Sequence, residues 1–274
     1  MSPSRAPAPR KALGQHFLVD LRVVRKIVDL LALECASTLV EIGPGRGALT
    51  RELLLTGKRV VAVEPDARMV AHLHERHPEG LEIIEDDVRN VSPHSLVPST
   101  RGQAILVGNL PYNLSGPILE WIFRSAGYWH QVVLTLQLEV VRRLVAEPAT
   151  RDFGPLAVAR ALHFDAAKRH VVRPGAFFPP PKVTSAIVEL RPTRKPPLAL
   201  KDPEHFMRIV HMLFAHRRKN MRNNLKLGLG LSDTALDRVF AAAGVDGRRR
   251  AEQLTWPELG ALFASCPPKR PMDT

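Results

Sequence analysis

Apolar residues recur along this chain with two different periods. In "LRVVRKIVDLLALE", Val23, Val24, Ile27, Val28 and Leu31 fall at helical spacing, which predicts an amphipathic helix over residues 20–34. Five short β-branched runs follow: "TLVEI", "RVVAVE", "LEIIE", "AILVGN" and "QVVLTLQ". Helical stretches, "GALTRELLLTG" and "DARMVAHLHER", separate the first of them. Strand, helix, strand at this rhythm predicts an α/β fold built on a parallel sheet with right-handed crossovers. Later, "HFDAAKRHVV" and "VTSAIVEL" predict an antiparallel ribbon on the edge of that sheet.

The character changes after the Pro-rich, basic connector "LRPTRKPPLALKDP". From about residue 203 onward only helical patterns appear, in "EHFMRIVHMLFAH", "KNMRNNLKLG", "DTALDRVFAAAG" and "PELGALFA". Ser232 and Thr255 stand where N-caps belong, and Thr255 with Glu258 fits a capping box. The expected organisation is a disordered basic arm over 1–12, an α/β domain over 13–195, a small helical domain over 203–265 and a flexible tail over 266–274. No internal repeat is visible.

Composition narrows the function. The longest apolar runs fall far short of the roughly 20 residues that a membrane helix requires, so no membrane partner is expected. The N-terminal "MSPSRAPAPRK" lacks the apolar core of a secretory signal. Cys35 and Cys266 lie too far apart in sequence for a zinc site or a disulfide framework. No metal and a reducing, cytoplasmic setting are therefore expected. The formal net charge of +12 points to a polyanion, because cations that neutralise phosphates release condensed counterions. Local clustering strengthens the case for nucleic acid. "HRRKNMR" sets Arg217, Arg218, Lys219 and Arg222 within two predicted helical turns, a candidate RNA-binding run.

Candidate chemistry gathers at the predicted strand ends. "VEIGPGRGALT" sets Gly43, Gly45 and Gly47 between a strand and a helix, where missing side chains let a ligand approach the backbone. The spacing of Gly43, Gly45 and Ala48 also fits a dinucleotide fingerprint, so the loop by itself suits NAD as well as S-adenosylmethionine. Glu64 ends the next strand, placed to accept hydrogen bonds from a ribose diol, which serves either ligand. Asp86, Asp87 and Val88 end the third. A carboxylate beside an apolar residue suits an adenine, although paired acids are also ordinary turn residues.

The run "GNLPYNLSGPIL" follows the apolar "AILV". Pro111 forces Leu110 into an extended conformation and removes a backbone donor, leaving an edge rich in acceptors: the Asn109 side-chain oxygen and the Leu110 carbonyl. An exocyclic adenine amine is a poor nucleophile because its lone pair is delocalised into the ring. Two acceptors around that nitrogen favour its pyramidal, nucleophilic form and stabilise the positive charge that develops on it. Tyr112 can stack on the base once it leaves its neighbours. No strong general base is then required, since the methylated nitrogen becomes acidic.

Taken together, "GQHFL", "EIGPGRGALT", "EDDV", "NLPYNLSGPIL", "DFGPLAV", "FFPPPKVTSAIVEL" and "FAHRRKNMRNNL" resemble the ribosomal RNA adenine N6,N6-dimethyltransferases, in particular those acting on the small subunit. The resemblance spans roughly residues 10–265. It implies a Rossmann-like class I methyltransferase domain, S-adenosylmethionine as cofactor and a helical RNA-binding domain. It further implies a substrate of two adjacent adenosines in a hairpin loop near the 3′ end of small-subunit rRNA within a pre-ribosomal subunit, and a monomeric enzyme. Carried over position by position, His16, Leu18, Gly43, Gly45, Glu64, Asp87, Val88 and Asn109 would line the cofactor, while Asn109, Leu110, Pro111 and Tyr112 would face the target base. Phe177 would stack on that base from the other side. Two positions depart from the family: His16 stands where Asn is usual, and Phe178 where a small polar residue is usual. A neutral imidazole can donate one hydrogen bond in place of the Asn amide. Two other readings compete: a large-subunit adenine methylase of the macrolide-resistance type, which shares the glycine loop and "NLPY" while "DFGPLAV", "PPPKV" and "RRKNMRNNL" favour the small-subunit class, and a non-catalytic RNA-binding assembly factor, against which intact Asn109, Pro111 and Tyr112 argue. An NAD dehydrogenase lacks support, since no hydride-transfer constellation is visible.

Overall fold

A computed structural model describes residues 7–10, 14–77, 79–97 and 103–267. Most of the expected arm (1–6, 11 and 12) and of the expected tail (268–274) lies outside the described residues. The chain forms two compact units. One comprises Met1–Val141 with Phe164–Pro192, the other Arg142–His163 with Thr193–Thr274.

The first unit is built on a seven-stranded sheet in the order β4-β3-β2-β5-β6-β9-β7. Its strands are β2 (Thr38–Ile42), β3 (Arg59–Val63), β4 (Leu81–Ile84), β5 (Ala104–Asn109), β6 (Trp129–Gln137), β7 (Phe164–Val172) and β9 (Ser185–Pro192). Strands β2 to β6 run parallel, as the alternating pattern predicts. Helices α2 (Ala48–Leu54), α3 (Ala67–Arg76), the short α4 (Pro93–Leu96) and α5 (Ser115–Arg124) connect them, and α6 (Leu138–Leu144) follows β6. The expected ribbon forms too: β9 pairs antiparallel with both β6 and β7, so β7 takes the edge. A separate two-stranded piece pairs β1 (Phe17–Leu18) with β8 (Phe177–Phe178).

The first helix is shorter than its periodicity predicts. It runs over Leu21–Val28 (α1), with Asp20 as N-cap. Gln131, wholly buried on β6, takes over the backbone groups beyond it. Its amide oxygen accepts from the Ala32 N–H at 2.9 Å, and its amide nitrogen donates to the Leu30 carbonyl at 2.8 Å. The Leu30 and Leu31 N–H groups close the last turn on the Ile27 and Val28 carbonyls at 3.2 and 3.0 Å, and with the Leu30 carbonyl and the Ala32 N–H satisfied by Gln131 the helix need not continue. Val24 and Ile27 of α1 and Leu49 and Leu53 of α2 share one core with Leu39, Val60, Ile105, Val107, Val133 and Ile187 of the sheet. Residues two apart on a strand point to one face, so that core covers one side of the sheet.

Chain order sets the site. From β2 the chain winds outward through β3 and β4, then returns to lay β5 on the other flank of β2. The order reverses between β2 and β5, and at such a switch point the carboxyl ends of neighbouring strands open a crevice for ligand. Ile42 pairs with Gly108 there, so Gly43 and Asn109 leave the sheet side by side.

The second unit is helical, with α8 (Pro203–Phe214), α9 (Met221–Leu229), α10 (Asp233–Ala243) and α11 (Trp256–Ser265). Ser232 caps α10 by accepting from the Ala235 N–H, and Thr255 with Glu258 forms the capping box of α11. This unit also takes residues 142–163, which the sequence pattern assigned to the α/β domain. Phe153, Ala157 and Val158, around α7 (Pro155–Ala161), are buried with Phe206, Leu213, Leu236 and Leu262. The Phe153 ring meets Trp256 edge to face at 5.6 Å. Apolar residues without sheet periodicity carry no signal of which core they enter, which is why the boundary falls elsewhere than expected.

Candidate active site

The glycine loop after β2 turns through left-handed backbone, which glycine adopts without steric cost. Gly43 and Gly45 have φ of 66° and 54°, left-handed values costing a residue with a Cβ roughly 1–2 kcal/mol. A Cβ on Gly45 would also lie 2.7 Å from the Phe17 ring. Behind the loop, Glu64 is 4% exposed. Its two oxygens accept from the Gly45 N–H at 3.2 Å and the Asp66 N–H at 3.0 Å. Burial raises its pKa, and those two N–H bonds oppose the rise. Glu41, deeper on β2, accepts from the Thr50 hydroxyl at 2.7 Å and is pushed up to about 8 by burial. Each Glu64 oxygen retains a lone pair for a further donor.

Asp87 and Val88 follow β4. Val88 is buried, and the Asp87 carboxylate is held by Arg89 through Nη2 at 2.6 Å and Nε at 2.9 Å, which draws its pKa down. Along the strand ends β2, β3 and β4 the chain thus offers bare glycine backbone, a buried carboxylate, and an apolar side chain beside a charge-compensated one. That set fits a nucleoside whose ribose diol meets Glu64 and whose base packs on Val88.

At the end of β5, the Asn109 amide nitrogen donates to the His16 carbonyl at 2.8 Å. A carbonyl only accepts, so this contact fixes which end of the amide is oxygen. Asn109 Oδ1 is buried and has no hydrogen-bond partner among the described residues. Native folds rarely leave such an acceptor empty. Leu110 is buried beside it, its N–H spent on the Thr135 carbonyl at 3.2 Å, and Pro111 has no N–H to offer. Tyr112 is pinned at both ends. Its hydroxyl bonds Ser185 Oγ at 2.5 Å, and its ring stacks on His16 with centroids 5.3 Å apart. Its own burial raises its pKa, so it stays a neutral phenol.

His16 therefore sits differently from the sequence expectation. Its Nδ1 lies 2.7 Å from the Pro179 carbonyl and must carry the proton there. The free nitrogen of a neutral ring is then Nε2, an acceptor, so it cannot replace the Asn amide as a donor to the cofactor. Its backbone orients Asn109 and its ring backs Tyr112. Leu18 is buried in the core beside the site. Phe177, expected to close on the base, is 3% exposed and packs with Leu18, Val172 and Ile187. The pleat explains this: neighbouring strand residues face opposite ways, and Phe178 takes the outward face at 48% exposure.

The RNA-binding candidates divide. Asn220 caps α9 by accepting from the Asn223 N–H, so Arg217, Arg218 and Lys219 lie exposed in the turn before that helix instead of along it. Arg217 donates to the Arg151 carbonyl at 2.8 Å. Arg222, in the first turn of α9, is bound to Asp233 and Asp237, which neutralise much of its charge. Sequence reasoning gave no role to Gly108, yet a Cβ there would lie 2.6 Å from the Ile42 carbonyl oxygen. A glycine inside an otherwise β-branched strand was the available signal.

The family description "Ribosomal RNA adenine dimethylase" matches residues 8–258. The chain is 41% identical over 257 residues to the ribosomal RNA small subunit methyltransferase A of Geobacter metallireducens, covering 92% of this chain and 94% of that one. It is 39% identical to the protein of the same name from Myxococcus xanthus, covering 94% and 91%. Among solved structures, a dimethyladenosine transferase from Plasmodium falciparum superposes with a TM-score of 0.72 at 23% identity, covering 90% of this chain and 96% of that one. The 23S rRNA methyltransferase ErmE does so at 0.65 and 25%, covering 91% and 98%. These structure neighbours are class I rRNA methyltransferases, and this chain has a mixed central sheet flanked by helices and a helical C-terminal part.

Proposed function

This chain belongs to the ribosomal RNA adenine dimethylase family and is an rRNA adenine dimethyltransferase, and on that premise we propose that it methylates N6 of two adjacent adenosines in a hairpin loop near the 3′ end of small-subunit (16S) rRNA, within a pre-ribosomal subunit. The observation that carries the reading is the empty, oriented acceptor Asn109 Oδ1 at the switch point of the sheet. Small-subunit RNA is favoured over large-subunit RNA by the relatives' names at about 40% identity over nearly the whole chain.

S-adenosylmethionine, when bound, supplies an electrophilic methyl group. Gly43 and Gly45 would let it lie against the backbone, Glu64 would accept from its ribose diol, Asp87 would accept from its adenine amine and Val88 would pack the adenine face. Toward the substrate, Asn109 Oδ1 and the Leu110 carbonyl accept the two N–H groups of the target amine. This draws the nitrogen lone pair out of conjugation and stabilises the charge that develops there. Tyr112 stacks on the flipped base with the face that His16 leaves open. The proton lost from the methylated nitrogen goes to water, so no side-chain base is required. In the second unit, Arg217, Arg218 and Lys219 engage phosphates. We take the enzyme to act as a cytoplasmic monomer; no described helix is long and apolar enough to cross a membrane.

Incubation of isolated small and large ribosomal subunits with methyl-labelled S-adenosylmethionine tests the proposal. Label in small-subunit adenosines is expected. Label in large-subunit RNA alone would move the substrate, and no label at all would leave a non-catalytic assembly factor.

A further inference from the structure

Exposure of one large apolar side chain carries no meaning by itself, and Leu55 and Leu227 are more exposed than Phe178. Phe178 differs in its setting. The Arg46 guanidinium carbon lies 5.3 Å from the centre of its ring and 4.8 Å from that of Phe17, so the cation is shared by both rings. Arg46 is itself fastened, donating through Nε and Nη2 to the Pro7 carbonyl at 3.1 and 2.8 Å. Phe178 is thus a half-exposed ring held against a fixed cation, with the rest of its surface open to solvent.

Its place in the chain ties it to the base-handling residues. Phe178 precedes Pro179, whose carbonyl binds His16, and the His16 ring backs Tyr112. Lys182, four residues on, is exposed. An aromatic face beside a cation is what single-stranded nucleic acid binds without reading sequence, since every base has a π face. The neighbouring Phe177, by contrast, is committed to the core.

We propose that Phe178, backed by Arg46, is a stacking platform for an unpaired RNA base next to the target adenosine, a second base site beside the Asn109–Tyr112 pocket. It rests on the proposed function above. Holding the neighbour while the target is turned into the pocket would keep the loop splayed, and it suits a substrate in which two consecutive adenosines are modified.

The test uses the full chain with small ribosomal subunits, and a loop oligonucleotide carrying 2-aminopurine at each position flanking the target. Phe178→Ala is expected to raise the KM for subunits by about tenfold, in the range of base stacking on an aromatic ring, and to abolish the 2-aminopurine quenching at one flanking position. Affinity for S-adenosylmethionine should stay unchanged. Phe178→Tyr should behave as the native protein. Phe178→Leu, which keeps apolar cover over Arg46 without a π face, should be as weak as the Ala variant. A Leu variant with native KM and native quenching overturns the platform, as does an Ala variant that weakens cofactor binding as much as RNA binding. If the native protein methylates no subunit, the proposed function falls and takes the platform with it; if it methylates and the Phe178 variants match it, only the platform falls.

Discussion

Adding one methyl group at Gly108 should damage both halves of the active site. A Cβ there would stand 2.6 Å from the Ile42 carbonyl oxygen, against 3.4 Å or more for ordinary contact. The opposing atom is backbone, so no rotamer relieves the clash. Gly108 and Ile42 are register partners at the ends of β5 and β2, one residue before Asn109 and Gly43. Strands β2 and β5 must then part by close to an ångström at the point from which both loops depart. Overpacking of this kind costs about 1–3 kcal/mol, or roughly 2–12 °C in melting temperature for a chain of this size. The effect on catalysis should exceed the effect on stability, because a misplacement of about 1 Å can cost on the order of 100-fold in rate. Gly108→Ala is expected to lower the melting temperature measurably, to weaken S-adenosylmethionine binding in calorimetric titration, and to slow single-turnover methyl transfer at least tenfold. An Ala variant with native melting temperature and native turnover would refute the claim that these strand ends are held together at van der Waals limit.

Other variants separate the remaining roles. Glu41 has a folded pKa near 8 against 4.5 in the unfolded chain, so its contribution is complete below pH 4.5 and is lost as pH rises to about 8. Glu41→Gln should therefore flatten the fall in melting temperature between pH 5 and 8, and parallel profiles for the two proteins would contradict this. Replacing Arg217, Arg218 and Lys219 by Gln should reduce the log–log salt slope of RNA binding by roughly 0.7–0.9 for each phosphate no longer neutralised. Arg222→Gln should change that slope less, because Asp233 and Asp237 already compensate its charge; equal slopes for all variants would place the RNA elsewhere. His16→Ala removes the ring behind Tyr112 and the bond to Pro179. Turnover should drop by about tenfold while cofactor affinity stays within about twofold in titration, and the reverse pattern would return His16 to the cofactor.

Periodicity made the sheet legible, since β-branched runs alternating with helical stretches admit few topologies. Caps at Ser232 and Thr255 were equally plain, because their chemistry is local. Long-range partners were not. The end of α1 depends on Gln131, about 100 residues away, and the membership of 142–163 depends on which core its apolar residues enter. At the site, residue types at strand ends pointed to Asn109, Tyr112 and Glu64. They did not show that His16 is tied to Pro179, that Arg222 is spent on two aspartates, or that Phe177 turns inward while Phe178 turns out. Those outcomes are set by side-chain direction and distant partners, which a one-dimensional pattern does not encode.

The central claim is that Asn109 Oδ1 acts on the nucleophile. Its most direct test is mass spectrometry of small-subunit rRNA after incubation with S-adenosylmethionine and either native protein or Asn109→Ala, with cofactor affinity measured in parallel. N6,N6-dimethyladenosine is expected at two adjacent positions with the native protein, and none with the Ala variant despite a cofactor affinity reduced only modestly. Near-native dimethylation by Asn109→Ala would contradict it.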